Sequence, residues 1–423
     1  MQAIRKLMKN SGCTDAQIER FCSRVESVLS GAGTSIPETE IEPVQELTAL
    51  EDVEPDASLL RQAAVIKLNG GLGTSMGLTG PKGLLEVKDG PDFYSILHHQ
   101  MERFSEKLKF RPPLIFMNSF STEEETVARL KELGFEQDVP WGFLQSRVPK
   151  IRPDGSLPDE EQEWAWCPPG HGDIYASLLD SGLRDKLREG GYRYLFVSNI
   201  DNLGAVLDSR PLAYMARNNL AFLMEVTRRG ENDRKGGHLA KDEDDGLLLR
   251  EVAQCPEDDL DHFQDISKHR YFNTNNLWID LEAVDESWTE LPLIVNRKPV
   301  RPHEPASEKV LQLEQAMGAA IGVVERSGAI EVGRDRFAPV KTTNELFLLR
   351  SDLYSLGPDF HLQQTVESVP RVDLDPEHYK LIGDFEKLVK GIPSLKECHS
   401  LKVEGPVTIT SEMEFKGDVH LRG

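Results

Sequence analysis

The sequence predicts an α/β protein whose main domain is built on a mostly parallel, mixed sheet flanked by helices. Three observations carry that prediction. From about residue 60 to residue 354, short apolar runs alternate with helical segments. A glycine-rich turn, Gly70-Gly71-Leu72-Gly73, follows the first of those runs. Several polar motifs fall just after strand-like runs, which is where ligands sit in folds of this kind. The ends read differently and divide the chain into three: an N-terminal helix and acidic linker (1–59), the α/β domain (60–354), and a C-terminal segment (355–423) that closes in a short β-solenoid-like piece.

Thr14 and Gln17 have capping-box spacing, and Ile18, Phe21, Cys22, Val25, Val28 and Leu29 then form one apolar helical face, ended by Gly31 and Gly33. Pro37, Pro43 and Pro55 mark an acidic connector expected on the surface, without chemistry. Strands are expected over 63–68, 114–117, 194–197, 221–226 and 272–279, with a strand-like piece over 339–349. Helices are expected over 122–133 and 310–324. At the end, Val403, Val407, Ile409, Met413, Phe415, Val419 and Leu421 all fall on odd positions, a period of two that reads as short β-rungs. The sequence reaches Gly423 before the roughly three repeats a solenoid usually needs could accumulate.

The 423 residues carry 49 Lys and Arg against 71 Asp and Glu, a net charge of −22. That balance argues against nucleic acid or an anionic membrane as partner, because both repel it. It does not exclude an anionic substrate, since a few placed cations can dominate one pocket. No apolar run approaches the ~20 residues of a membrane span, and no signal-peptide core follows the N-terminus. The five cysteines are scattered with no C-x-x-C pair, so reduced thiols and a cytoplasmic location are expected.

Glycines in the 70–77 turn remove Cβ atoms, so backbone N–H groups can close on a phosphate or a flat base. The spacing is not a Walker loop. It is not the dinucleotide fingerprint either, because the third glycine would fall on Met76; a NAD-dependent oxidoreductase is disfavoured on that ground. Lys82, stiffened by Pro81, follows closely.

The string KLNGGLGTSMG with GPK after it resembles the UTP–glucose-1-phosphate uridylyltransferases (UDP-glucose pyrophosphorylases). So do FLQSRVPKI, PPGHGDIYASL, VSNIDNLGA, FNTNNLWI, QLEQAMGAAIG and RFAPVKTTNELFLLRSDLY, in the same order, covering about residues 63–354. The resemblance implies a Rossmann-like nucleotidyltransferase domain. It implies transfer of uridylyl from UTP to glucose 1-phosphate, with Mg²⁺ as cofactor and no covalent intermediate. Asp201 would hold the metal, and Lys82 and Lys341 would be the catalytic cations. Leu72, Gly73, Met117, Gln145 and Gly170 would bind the nucleotide. His171, Asn199, Gly237, Glu251 and Asn275 would bind the sugar phosphate. Homo-oligomerisation stays open. The pattern departs at Gly83, where these uridylyltransferases carry serine. Two alternatives stand beside this expectation: a uridylyltransferase for N-acetylglucosamine or galactose 1-phosphate, and a catalytically silent nucleotide-sugar-binding protein.

Overall fold

A buried strand must satisfy its backbone N–H and C=O groups along both edges, and Ala63–Asn69 has a strand on each side in the computed structural model. It runs parallel to Leu114–Asn118, with Val65 opposite Leu114 and Asn69 opposite Asn118, and Tyr194–Asn199 lies on its other side. The structure describes every residue except 32–34, 160–161, 231–232, 302–303 and 305, so Gly33 lies outside the described residues. The chain divides into two units. The first comprises Met1–Asp56, Phe143–Leu195 and Arg210–Val332; the second comprises Ala57–Gly142, Phe196–Ser209 and Gly333–Gly423. No described helix is long and apolar enough to cross a membrane.

The second unit holds the parallel strands and the helices Phe93–Leu108 and Glu123–Glu132. The Asp92 carboxylate caps the first of these by accepting from Ser95 N at 2.8 Å. Three short strands near the C-terminus, Arg371–Leu374, Cys398–Glu404 and Gly417–Arg422, pair in parallel as successive rungs.

The first unit makes the pairing mixed. Phe222–Arg228 is antiparallel to Tyr271–Asp280 and parallel to Ser327–Glu331, while His238–Lys241 is antiparallel to Leu247–Arg250. Its N-terminal helices, Gln2–Asn10 and Asp15–Leu29, bury Ile4, Met8, Ile18, Phe21 and Val25 against Val148, Ile151, Trp166 and Leu313. The Thr14–Gln17 capping box forms as expected.

Three expectations are corrected. The expected helix over 310–324 is instead the strand Lys309–Gln315, antiparallel to Leu293–Pro299, followed by a 3₁₀ segment at Met317–Gly322. Its apolar positions suit either period, and pairing in the hairpin decides between them; Gly318 and Gly322 further weaken a regular helix. The piece over 339–349 is mostly the helix Thr343–Arg350, started by a capping box in which Thr342 N donates to Glu345 Oε2 at 2.6 Å. That Thr-x-x-Glu signal precedes the apolar run that reads as a strand. The acidic connector is not merely surface: Ile41, Val44 and Leu50 are buried, and Glu42–Pro43 pairs with His238–Lys241.

Candidate active site

In the second unit, three chain segments converge on Asp201. Beyond the Tyr194–Asn199 strand, Ile200 N donates to Leu68 O (3.1 Å), holding the turn beside the glycine loop. Asp201 O accepts from Val340 N (3.1 Å), and Asn202 bonds Ala338 N and Arg336 O through its side-chain amide. A Cβ on Gly204 would stand 2.4 Å from Asp335 O, so the turn presses directly on the 335–340 segment. Lys341 therefore emerges one residue beyond a bond to Asp201. It is exposed, with Nζ 5.9 Å from the Phe337 ring centroid.

From the other side Lys82 places Nζ 2.5 Å from Asp201 Oδ2, while its own N–H donates to Gly71 O at 3.2 Å. Both side chains are largely buried, so removing one partner strands the other's charge. Asp201 Oδ1 is buried without a hydrogen-bond partner among the described residues. An orphaned oxygen on a carboxylate that already meets the Lys82 ammonium suits a cation that also meets phosphate, which fits Mg²⁺. No group of three or more His, Cys, Asp or Glu side chains poised for a metal occurs among the described residues, and Mg²⁺ needs only one or two protein carboxylates.

The glycine loop turns through left-handed residues, Gly73 at φ +59° and Gly77 at φ +73°. Leu72 is half-buried beside Gly73, and Met117 is buried opposite Leu68 on the neighbouring strand. Asn199 is half-buried at its strand's end, its carbonyl accepting from Asn202 N at 3.2 Å. Lys67, by contrast, is a structural tie: its buried Nζ donates to Ser198 Oγ (2.7 Å) and Ala205 O (2.9 Å).

In the first unit the remaining residues form a second group. Gly170 sits at φ +83°, ψ 168°, a conformation held almost only by glycine, and a Cβ there would lie 2.5 Å from Gln315 O. His171 follows. Its Nδ1 accepts from Met317 N–H (3.0 Å), which leaves the ring proton on Nε2, free to be donated. Burial holds the imidazole down to about 4, so it is neutral near neutral pH. Gln145 is half-buried; the next residue's N–H donates to Asp173 Oδ2 (2.6 Å), which ties it to the same turn.

Gly237 and Glu251 face each other: a Cβ on Gly237 would meet Glu251 Oε1 at 2.6 Å. Gly237 O accepts from Asn273 N (3.2 Å), and Asn273 Nδ2 donates to Asn275 Oδ1 (3.1 Å). Asn275 has φ +58° within a β-bulge of Tyr271–Asp280, the kind of irregularity that re-aims a side chain.

Each unit thus gathers its share of the expected residues: Leu72, Gly73, Lys82, Met117, Asn199, Asp201 and Lys341 in the second, Gln145, Gly170, His171, Gly237, Glu251 and Asn275 in the first. Asn199 keeps company with the lysines rather than with the other expected sugar-phosphate residues. Two supporting residues were not singled out from sequence. Asp173 and Asn202 lie inside the motifs GHGD and NIDN, and their signal was that polar identity at a turn.

The family model described as UTP–glucose-1-phosphate uridylyltransferase matches residues 17–416. A UTP–glucose-1-phosphate uridylyltransferase of Hordeum vulgare is 39% identical over 419 residues, covering 94% of this chain and 87% of that protein. One of Encephalitozoon cuniculi is 40% identical over 378 residues, covering 87% and 75%. The crystal structure of a UDP-glucose phosphorylase from Trypanosoma brucei superimposes with a TM-score of 0.91 at 46% identity, covering all of this chain and 94% of the other. The UDP-glucose pyrophosphorylase of Leishmania major, described in open and closed structures, gives 0.91 at 43% identity, with the same coverage.

Proposed function

We infer the division of labour between the two groups from one premise: the chain belongs to the UTP–glucose-1-phosphate uridylyltransferase family. It is an enzyme that makes UDP-glucose from UTP and glucose 1-phosphate. A phosphate oxygen of the sugar attacks the α-phosphorus of UTP. The bond from that phosphorus to the bridging oxygen breaks, and pyrophosphate leaves with the electron pair. The nucleophile is already ionised, so no general base is required, and positioning with electrostatics carries the rate.

Lys82 and Lys341 offset the charge of the transferring group. Lys82 is held ready by Asp201, and Lys341 by the Val340–Asp201 bond. Asp201 would hold Mg²⁺, which when bound neutralises phosphate charge. Leu72, Gly73, Met117, Gln145 and Gly170 bind the nucleotide, with the Gln145 amide matching the donors and acceptors of the uracil edge. His171 donates from Nε2 to the sugar phosphate, and Asn199, Gly237, Glu251 and Asn275 complete its binding. The five free thiols support a cytosolic setting for this reading.

The observation that carries the assignment is the Lys82–Asp201 ion pair, with one carboxylate oxygen that has no hydrogen-bond partner among the described residues and with the backbone just before Lys341 bonded to Asp201. It is tested by pyrophosphate release from UTP with glucose, N-acetylglucosamine or galactose 1-phosphate, with and without Mg²⁺, for wild type and Lys341→Ala. Release favouring glucose 1-phosphate, dependent on Mg²⁺ and lost in the variant, is expected. Full activity in Lys341→Ala, or in EDTA, would overturn the lysine or the metal assignment.

A further inference from the structure

Glu38 lies in the connector that reads as featureless in sequence, yet its carboxylate is nearly buried and receives two cationic groups and an imidazole. Arg250 Nη1 lies 2.6 Å from Oε2, and Lys268 Nζ (2.5 Å) and His269 Nε2 (2.9 Å) meet Oε1. Burial alone would push this carboxyl up, but the bonds from Lys268, His269 and Arg250 outweigh it and hold the group at about 2. The connector is fastened there twice more: Ile36 N donates to Gln254 O (2.7 Å) and Glu38 N to Asp259 Oδ2 (2.7 Å).

Arg250 is fully buried. Its only other carboxylate among the described residues is Asp259, at 3.4 Å and more exposed. A buried guanidinium without its carboxylate carries a large desolvation penalty, so the place of Arg250 depends on Glu38.

The ladder then connects this network to the group described above. His238 pairs with Arg250 across the antiparallel strands, so Gly237 and Glu251 stand opposite each other one step further along. Successive side chains on a strand point to opposite faces. Arg250 and His238, the latter stacked on His269 at 3.9 Å, therefore fill one face, and Glu251 projects from the other. What fixes Arg250 fixes the backbone from which Glu251 projects.

We propose that Glu38 is a positioning residue for the sugar-phosphate group: by anchoring Arg250 it sets the height and direction of Glu251 against Gly237. This rests on the reading of Glu251 as a sugar-phosphate ligand. The test uses the full-length enzyme and four variants, Glu38→Gln, Glu38→Asp, Glu251→Ala and the double variant Glu38→Gln/Glu251→Ala, with KM for each substrate, kcat and thermal unfolding. Glu38→Gln is expected to raise KM for glucose 1-phosphate about tenfold while KM for UTP stays within about twofold. Once Glu251 is alanine, Glu38→Gln is expected to add nothing to that KM. Glu38→Asp retains the charge and is expected to recover most of the wild-type value.

A loss of kcat or melting temperature with both KM values unchanged would overturn the proposal and leave Glu38 a purely structural anchor. So would additivity of the two substitutions. An unaffected glucose 1-phosphate KM in Glu251→Ala would instead overturn the sugar reading itself. If Glu38→Gln is too unstable to assay, the same split is required of Arg250→Lys, which keeps the charge but loses the guanidinium fork onto Glu38, and its absence there overturns the proposal.

Discussion

Restoring a serine at position 83 should damage this enzyme, although its relatives are expected to carry one. A Cβ on Gly83 would stand 2.4 Å from Tyr94 Cζ and 2.7 Å from its hydroxyl, far inside van der Waals contact. Tyr94 cannot easily give way. It is fully buried and lies edge-on to Phe116 with centroids 5.4 Å apart. Its hydroxyl is bonded to Asn69 Nδ2 and to Thr126 Oγ1, each at 2.9 Å. Overpacking a filled core costs about 1–3 kcal/mol. Pulling the hydroxyl from one or two bonds adds about 1 kcal/mol each, so Gly83→Ser should lose about 2–5 kcal/mol of stability. Because position 83 follows Lys82 directly, kcat should fall as well. Urea unfolding at constant slope measures the loss. Tyr94→Leu vacates the space, and in that background Gly83→Ser should cost less than about 1 kcal/mol, leaving a coupling of about 1 kcal/mol or more. Equal losses in the two backgrounds would refute the claim that Tyr94 dictates glycine here.

Lys341→Ala should lower kcat by about 10²–10³ with little change in either KM, since its charge is needed most in the transition state; rapid-quench turnover checks it. Gly170→Ala should lose about 1–3 kcal/mol from backbone strain alone, and more from its contact with Gln315 O, which belongs to the main chain and cannot swing aside; the same urea series reads it. His171 is held at about 4 against an ordinary 6.5, so it contributes stability above pH 6.5 that is lost as pH falls through 4. Because the ring is partly open to solvent, that contribution should be about 1–2 kcal/mol, seen as a steeper acid loss in wild type than in His171→Gln. For the same reason no kinetic inflection near pH 6.5 should vanish in that variant.

Legibility followed the range of the interactions involved. Strands buried on both faces, such as Ala63–Asn69, announce themselves as apolar runs, and Asp201 stands out because it ends one of them. Motifs single out Lys82 and Lys341, but the ion pair of Lys82 with Asp201 and the Val340 bond that brings the backbone before Lys341 to Asp201 are tertiary contacts that no local pattern encodes. The hairpin at Lys309–Gln315 was misread because its apolar spacing satisfies two periods, and only its partner strand decides. Glu38 was invisible for a related reason: in an acidic, proline-punctuated stretch, one glutamate differs from its neighbours only by what folds over it.

The ladder that sets His238 opposite Arg250 also limits how this protein can change over time. The turn between those strands, Asp242–Gly246, carries no expected site residue, and its composition looks free to drift. Its length is not. Deleting one residue and sliding the pairing by one step would turn Glu251 toward the buried cations and Arg250 toward the place of the sugar. Insertions and deletions there should therefore survive only when they leave the phase of the two strands untouched.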